Sequence, residues 1–178
     1  MPPVGFSLGS IYKLSQKKIS DESLKFMLDI GCDAVELGCY NIKEIKYVFT
    51  LDYQLRSKFR HFSLHAPYTG FSYDNSIQTR GLMRTLLQVN DMFNIDLICI
   101  HPDLVEKWDE INGYQKLPLA LENMDNKKSF GRTIEELNSL PIANWGIVLD
   151  LLHCYLIDPS MNLARDMIEE FGDKIGEF

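Results

Sequence analysis

Short apolar runs recur along the chain, with amphipathic stretches between them. Residues 4–8, 34–37, 62–65, 97–101, 119–122 and 147–150 are dominated by β-branched and large apolar side chains. Each run is short enough for a strand and too continuous for a strand with one wet face, which predicts a sheet buried on both sides. The segments between carry helical spacing instead. Ser20 is placed to cap a helix in which Leu24, Met27 and Leu28 share a face and which Gly31 ends. Over residues 75–94, Leu82, Leu86, Val89 and Phe93 form one stripe, widened by Met83 and Leu87. Thr133-Ile-Glu-Glu136 has the form of a capping box ahead of Leu137 and Leu140, and Pro141 discourages continuation. Residues 160–171 repeat the theme with Leu163, Met167, Ile168 and Phe171, followed by Gly172.

Buried strands alternating with amphipathic helices imply a parallel sheet covered by helices. A doubly wound open sheet and a (β/α) barrel both satisfy that pattern. No G-x-G-x-x-G or Walker A loop follows any strand, which disfavours a nucleotide-binding open sheet. Polar residues close several strands at their carboxyl ends, and a barrel gathers such residues into one mouth. The expected fold is therefore α/β, a TIM barrel. Six strands are readable and residues 174–178 begin a seventh, whereas a full barrel has eight strands and roughly 250 residues. The expectation is a single barrel domain over residues 1–178 that lacks its last one or two βα units. Residues 103–116 are polar, leave little room for a regular helix, and read as a mouth loop.

Composition narrows the classes. With 178 residues, 46% hydrophobic and 24% charged, the chain can bury a substantial core, which excludes disorder. No apolar run approaches the ~20 residues of a membrane-spanning helix. Met1-Pro-Pro opens no signal peptide, so the expected location is the cytoplasm. Cys32, Cys39, Cys99 and Cys154 form no C-x-x-C pair and read as buried free thiols. A net charge of −7 opposes nonspecific binding to a polyanion, although bound metals would still attract phosphate.

The candidate chemistry lies in four strings: His65-Ala-Pro-Tyr68, Ile100-His101-Pro102, Leu121-Glu122-Asn123 and Asp150-Leu-Leu-His153. Imidazole and carboxylate are the ligand types divalent transition metals favour, and a carboxylate such as Glu122 can bridge two of them. Taken singly, each residue has a plainer reading. A strand-end histidine is commonly structural, Glu122 suits an ion pair, and Asp150 suits a cap for the turn after its strand. Their joint placement at successive strand ends favours one metal-lined mouth. His153 lies three residues past Asp150 and enters that mouth only if the chain turns there. His61 precedes the apolar part of its strand and stays on the structural side, as does Phe71 by packing.

At these residues the sequence resembles the endonuclease IV and xylose isomerase-like superfamily of TIM barrels. The resemblance to endonuclease IV is most specific in His65-Ala-Pro-Tyr68 and His101-Pro102, with Glu122-Asn123 and Asp150-x-x-His153 completing it. It implies zinc at His65 and His101, a bridge through Glu122 to a second ion on Asp150, and a third ion on His153. Glu122 and Asp150 are then the catalytic carboxylates, and Tyr68 and His153 face the substrate. The implied activity is metal-assisted hydrolysis of the phosphodiester at abasic sites in DNA. The chain departs from the pattern where Met124-Asp-Asn-Lys-Lys128 replaces a glycine-rich continuation and where Val4-Gly-Phe-Ser-Leu8 replaces a first strand bearing histidine. Two other readings stay open. Related sugar isomerases and epimerases use a strand-five glutamate and a strand-six aspartate around manganese or magnesium, and Ala34-Val-Glu36-Leu37 resembles their second strand. The other is a noncatalytic relative that keeps metal ligands. No specific protein partner is expected.

Overall fold

The structure is a computed structural model describing residues 1–11, 18–141 and 145–178. Its strands are β1 (Gly5–Ser7), β2 (Ala34–Gly38), β3 (His61–His65), β4 (Leu97–Ile100), β5 (Leu119–Glu122), β6 (Gly146–Val148) and β7 (Ile175–Glu177). They form one 7-stranded sheet in sequence order, each strand parallel to the next. The helices between them are α1 (Asp21–Asp29), α2 (Ile45–Val48), α3 (Ile77–Phe93), α4 (Trp108–Asn112), α5 (Ile134–Asn138), α6 (Leu151–Ile157) and α7 (Asn162–Phe171).

The sheet curls. His61 on β3 and Glu177 on β7 approach to 3.3 Å through their side chains. Strands four places apart in a flat sheet would stand roughly 19 Å apart at ordinary strand spacing. The result is an incomplete TIM barrel, as the pattern implied. Its interior floor holds Leu97, Cys99, Ala120 and Val148. The outer faces of the strands pack Val35, Phe62, Leu64, Ile98 and Ile100 with Leu24, Met27, Leu82, Leu86 and Phe93 of the helices. The four cysteines are buried and free. Among the described residues no helix is long and apolar enough to cross a membrane.

The helix ends follow the local chemistry. Ser20 accepts from Ser23 N at 3.2 Å, and Gly31 takes φ +87° where a side chain would be strained. Ser76 opens α3 by accepting from Thr79 N, and left-handed Asn94 closes it. Thr133 accepts from Glu136 N at 3.2 Å, but the return bond of a capping box is displaced by one residue. Glu136 accepts from Arg132 N at 2.6 Å and pairs with the Arg132 side chain.

Residues 103–116 are not a bare loop. A 3-10 turn at Pro102–Leu104 and the five-residue helix α4 occupy them, because Ile111 finds a fully buried position and so short a helix fits the space. Tyr73 ties this segment to the loop after β3: its N–H donates to Leu104 O at 2.8 Å and its hydroxyl to Pro67 O at 3.0 Å. Phe71 packs edge-on against Tyr73.

Candidate metal centre

Strand alternation aims the site residues. His65 ends β3 level with Cys99 of β4. His101 follows Cys99 by two residues and therefore faces the same side. Ala120 is level with Cys99, and Glu122 follows it by two at the end of β5. β6 stops at Val148, so Asp150 leaves the strand and caps α6, accepting from His153 N at 2.9 Å. The plainer reading of Asp150 as a cap is thus correct, and it carries a consequence: the turn into α6 swings His153 back to the mouth.

Three donor atoms converge. His65 Nε2 lies 3.1 Å from Glu122 Oε2 and 3.1 Å from His101 Nε2. His101 Nε2 lies 2.9 Å from the same Glu122 oxygen. Donors bound to one tetrahedral ion at 2.0–2.1 Å stand about 3.3 Å apart, so this triangle is nearly a ready coordination face. His101 and Glu122 are each 7% exposed, which keeps competing water low. The other nitrogen of His65 faces Ala66 O at 2.9 Å. A carbonyl can only accept, so Nδ1 carries the proton and the Nε2 lone pair is left for an electrophile.

The second Glu122 oxygen looks elsewhere. Oε1 stands 3.6 Å from His153 Nδ1, and one donor atom each from Glu122, Asp150 and His153 fall within 4.8 Å of one another. His153 Nδ1 donates to Asn123 O at 2.7 Å, which fixes its tautomer as in His65 and leaves Nε2 free. That nitrogen is 3.7 Å from Asp150 Oδ2. The structure therefore groups His153 with Asp150 and Glu122. The chain offers two adjacent donor groups sharing one carboxylate: a tight one at His65, His101 and Glu122, and a looser one at Glu122, Asp150 and His153, where His153 Nδ1 is committed to Asn123 and Nε2 is the nitrogen left for a cation.

Without a cation, a proton fills part of the gap. Burial pulls the His65 pKa down, but the hydrogen bond and charge of Glu122, with Glu36 behind it, overcome burial and raise it to about 9. Burial pushes the Glu122 carboxyl up, and His101 and His65 more than reverse this, holding it well below the usual carboxylate range. His65 has the higher pKa in the folded state, so its contribution is complete below its ordinary value near 6.5 and lost as pH rises through about 9. Urea unfolding of chelator-treated protein should show stability falling by up to roughly 3 kcal/mol between pH 6 and pH 10. A flat profile across that window would remove the His65–Glu122 ion pair from the account.

The remaining sequence candidates sit around this centre. Tyr68 stacks on His101 at 5.0 Å and 27° and meets His65 edge-on at 4.8 Å, with Tyr40 edge-on behind it. It walls the mouth. His61 pairs with Glu177 and stays out of the cluster. Glu36 is half-buried inside the curl. Burial raises its carboxyl, opposed by His65 and by a Ser7 hydrogen bond.

Four further residues contribute without having been given a role at the site by the sequence. Cys99 Sγ approaches Glu122 Oε2 at 3.5 Å. Asn123 brackets Asp150, accepting from its N–H at 2.6 Å and donating to its carbonyl at 3.1 Å. Asp103 Oδ1 stands 3.9 Å from His101 Nδ1, and neither atom has a hydrogen-bond partner among the described residues. Lys128, in the segment that replaces the glycine-rich continuation, lies 3.4 Å from the other Asp103 oxygen. Glutamate-asparagine adjacency was the one available signal for Asn123; the others had none.

No protein-family model matches the chain, and no curated protein matches it by sequence. Solved structures do match in fold. Endonuclease IV from Thermus thermophilus superposes with a TM-score of 0.62 at 15% identity, over 98% of this chain and 74% of that one. AsfvAP:AG superposes with a TM-score of 0.59 at 12% identity, over 98% of this chain and 71% of that one. The chain thus shares the fold of these two structures over nearly its whole length, as an incomplete TIM barrel.

Proposed function

We propose that this chain is a divalent-metal-dependent phosphodiester hydrolase of endonuclease IV type, acting at abasic sites in DNA with zinc in its mouth. The observation that carries the proposal is the division of Glu122: Oε2 meets His65 and His101 while Oε1 faces His153. Two cations held across such a carboxylate neutralise phosphate oxygens and lower the pKa of water. His65 and His101 would hold the first, Asp150 and His153 the second, with Glu122 between them. Carbonyls of Ala66 and Asn123 keep the two imidazole rings oriented. Tyr68 flanks the mouth, where an aromatic face suits an exposed sugar or base. The charge of −7 repels intact duplex away from the centre, so recognition depends on the mouth and its cations.

The sugar isomerase reading keeps one observation in its favour. Glu36 is a carboxylate inside the curl whose proton affinity burial has raised, as proton transfer between carbons requires. Zinc-loaded protein assayed on an abasic duplex and on an undamaged duplex is the decisive comparison. Cleavage confined to the abasic strand, abolished by chelation and reduced about 10²-fold or more by His101→Ala, is the expected result. Epimerisation of a ketose without DNA cleavage would move the assignment to the sugar class, and metal retention with neither activity to a noncatalytic relative.

A further inference from the structure

The cation cluster contains a donor of a different kind. Cys99 points to the same side as His65 and His101: it is level with His65 across the β3–β4 pair and two residues before His101. Its sulfur is 3.5 Å from the Glu122 oxygen on which both imidazoles converge. The donor atoms of His65, Cys99 and Glu122 all lie within 4.8 Å of one another. In a tetrahedral site with a metal–sulfur bond near 2.3 Å and a metal–oxygen bond near 2.0 Å, sulfur and oxygen stand about 3.5 Å apart.

We infer that Cys99 is the fourth ligand of the cation held by His65, His101 and Glu122, and binds it as a thiolate. The inference rests on the two-cation reading above and assigns the first of its sites a donor set of two imidazoles, one carboxylate and one sulfur. Free of metal, the thiol donates a weak hydrogen bond to Glu122. On binding, the S–H bond breaks, its proton leaves to the solvent buffer, and the sulfur lone pair forms the metal bond. Four protein donors close the site, as in structural zinc centres. The coordination opening that hydrolysis needs then belongs to the Asp150 and His153 side. A thiolate also selects zinc, cobalt or cadmium over magnesium and manganese, which gives the centre a metal preference the other donors do not impose.

Cobalt(II) titration of chelator-treated protein reads the ligand directly. The wild-type chain should give the visible bands of four-coordinate cobalt together with an intense sulfur-to-cobalt charge-transfer band in the near ultraviolet. Cys99→Ala and Cys99→Ser should lose the ultraviolet band and bind cobalt about tenfold or more weakly. Cys39→Ala, which removes a buried thiol after β2, should keep it. Visible bands without the ultraviolet band in the wild-type chain would overturn thiolate ligation and leave the two-cation reading standing, and so would a band unchanged in Cys99→Ala. Failure to bind cobalt at all would overturn both. A wild-type spectrum without the ultraviolet band decides against the inference even if a variant fails to fold, and where the band is present the Cys99 variants that fold assign it among the four free cysteines.

Discussion

Glu122→Gln should empty the whole centre, not half of it. Zinc content, measured after dialysis against trace metal, is expected to fall from two ions per chain to near none, and cleavage of abasic DNA by on the order of 10³-fold or more. The geometry gives the reason. Both carboxylate oxygens are committed, one to His65 and His101 and the other toward His153. An amide retains one acceptor and loses the charge, and its NH₂ must face one of the two donor groups without a lone pair to offer. A second readout isolates the electrostatics. With the leading interaction that raises it removed, burial should return the His65 pKa from about 9 to its ordinary range or below, measurable by following the ring protons with pH. If one zinc remains firmly bound in the variant, the two clusters are independent and Glu122 is not the bridge.

Asn123→Ala is expected to separate the clusters. Asn123 is fully buried and replaces sheet hydrogen bonds where β6 has ended, holding both the N–H and the carbonyl of Asp150. Its amide also donates to Cys154 Sγ at 3.3 Å. Truncation leaves the Asp150 N–H without its partner while the carbonyl keeps Cys154 N at 3.2 Å, a loss of about 1–3 kcal/mol, or a melting temperature lower by roughly 2–12 °C for a chain of this size. Asp150 caps α6 and aims His153, so loosening it should cost the second ion while His65, His101 and Glu122 keep the first. Thermal unfolding and zinc counting on the same sample check both halves. Loss of both ions, or of neither, would contradict the assignment of Asp150 and His153 to a separate donor group.

Much of this centre is legible in the sequence because strand order and strand ends are local properties. His65, His101 and Glu122 close apolar runs, and a parallel barrel sends such residues to one rim. Ser20 and Thr133 mark helix starts through hydrogen bonds to their own neighbours. Cys99 is illegible for the same reason that β4 is obvious: in Leu97-Ile-Cys-Ile100 a thiol has no polarity contrast with its surroundings. The helix α4 leaves no periodic trace because Ile111 is its one buried residue, with only Trp108 packing beside it at the helix start. The direction of His153 depends on where β6 ends, and Val148 rather than Asp150 ends it.

The sequence by itself determined the parallel βα order, the buried strands and which side chains stand at their carboxyl ends, since all of these follow from periodicity over a few residues. Only the tertiary structure decided the curl that carries β7 back to His61, the division of Glu122 between two donor groups, and the sulfur beneath them. Those depend on twist accumulated across successive strands, and a quantity summed over the whole sheet leaves no mark on any short stretch of chain.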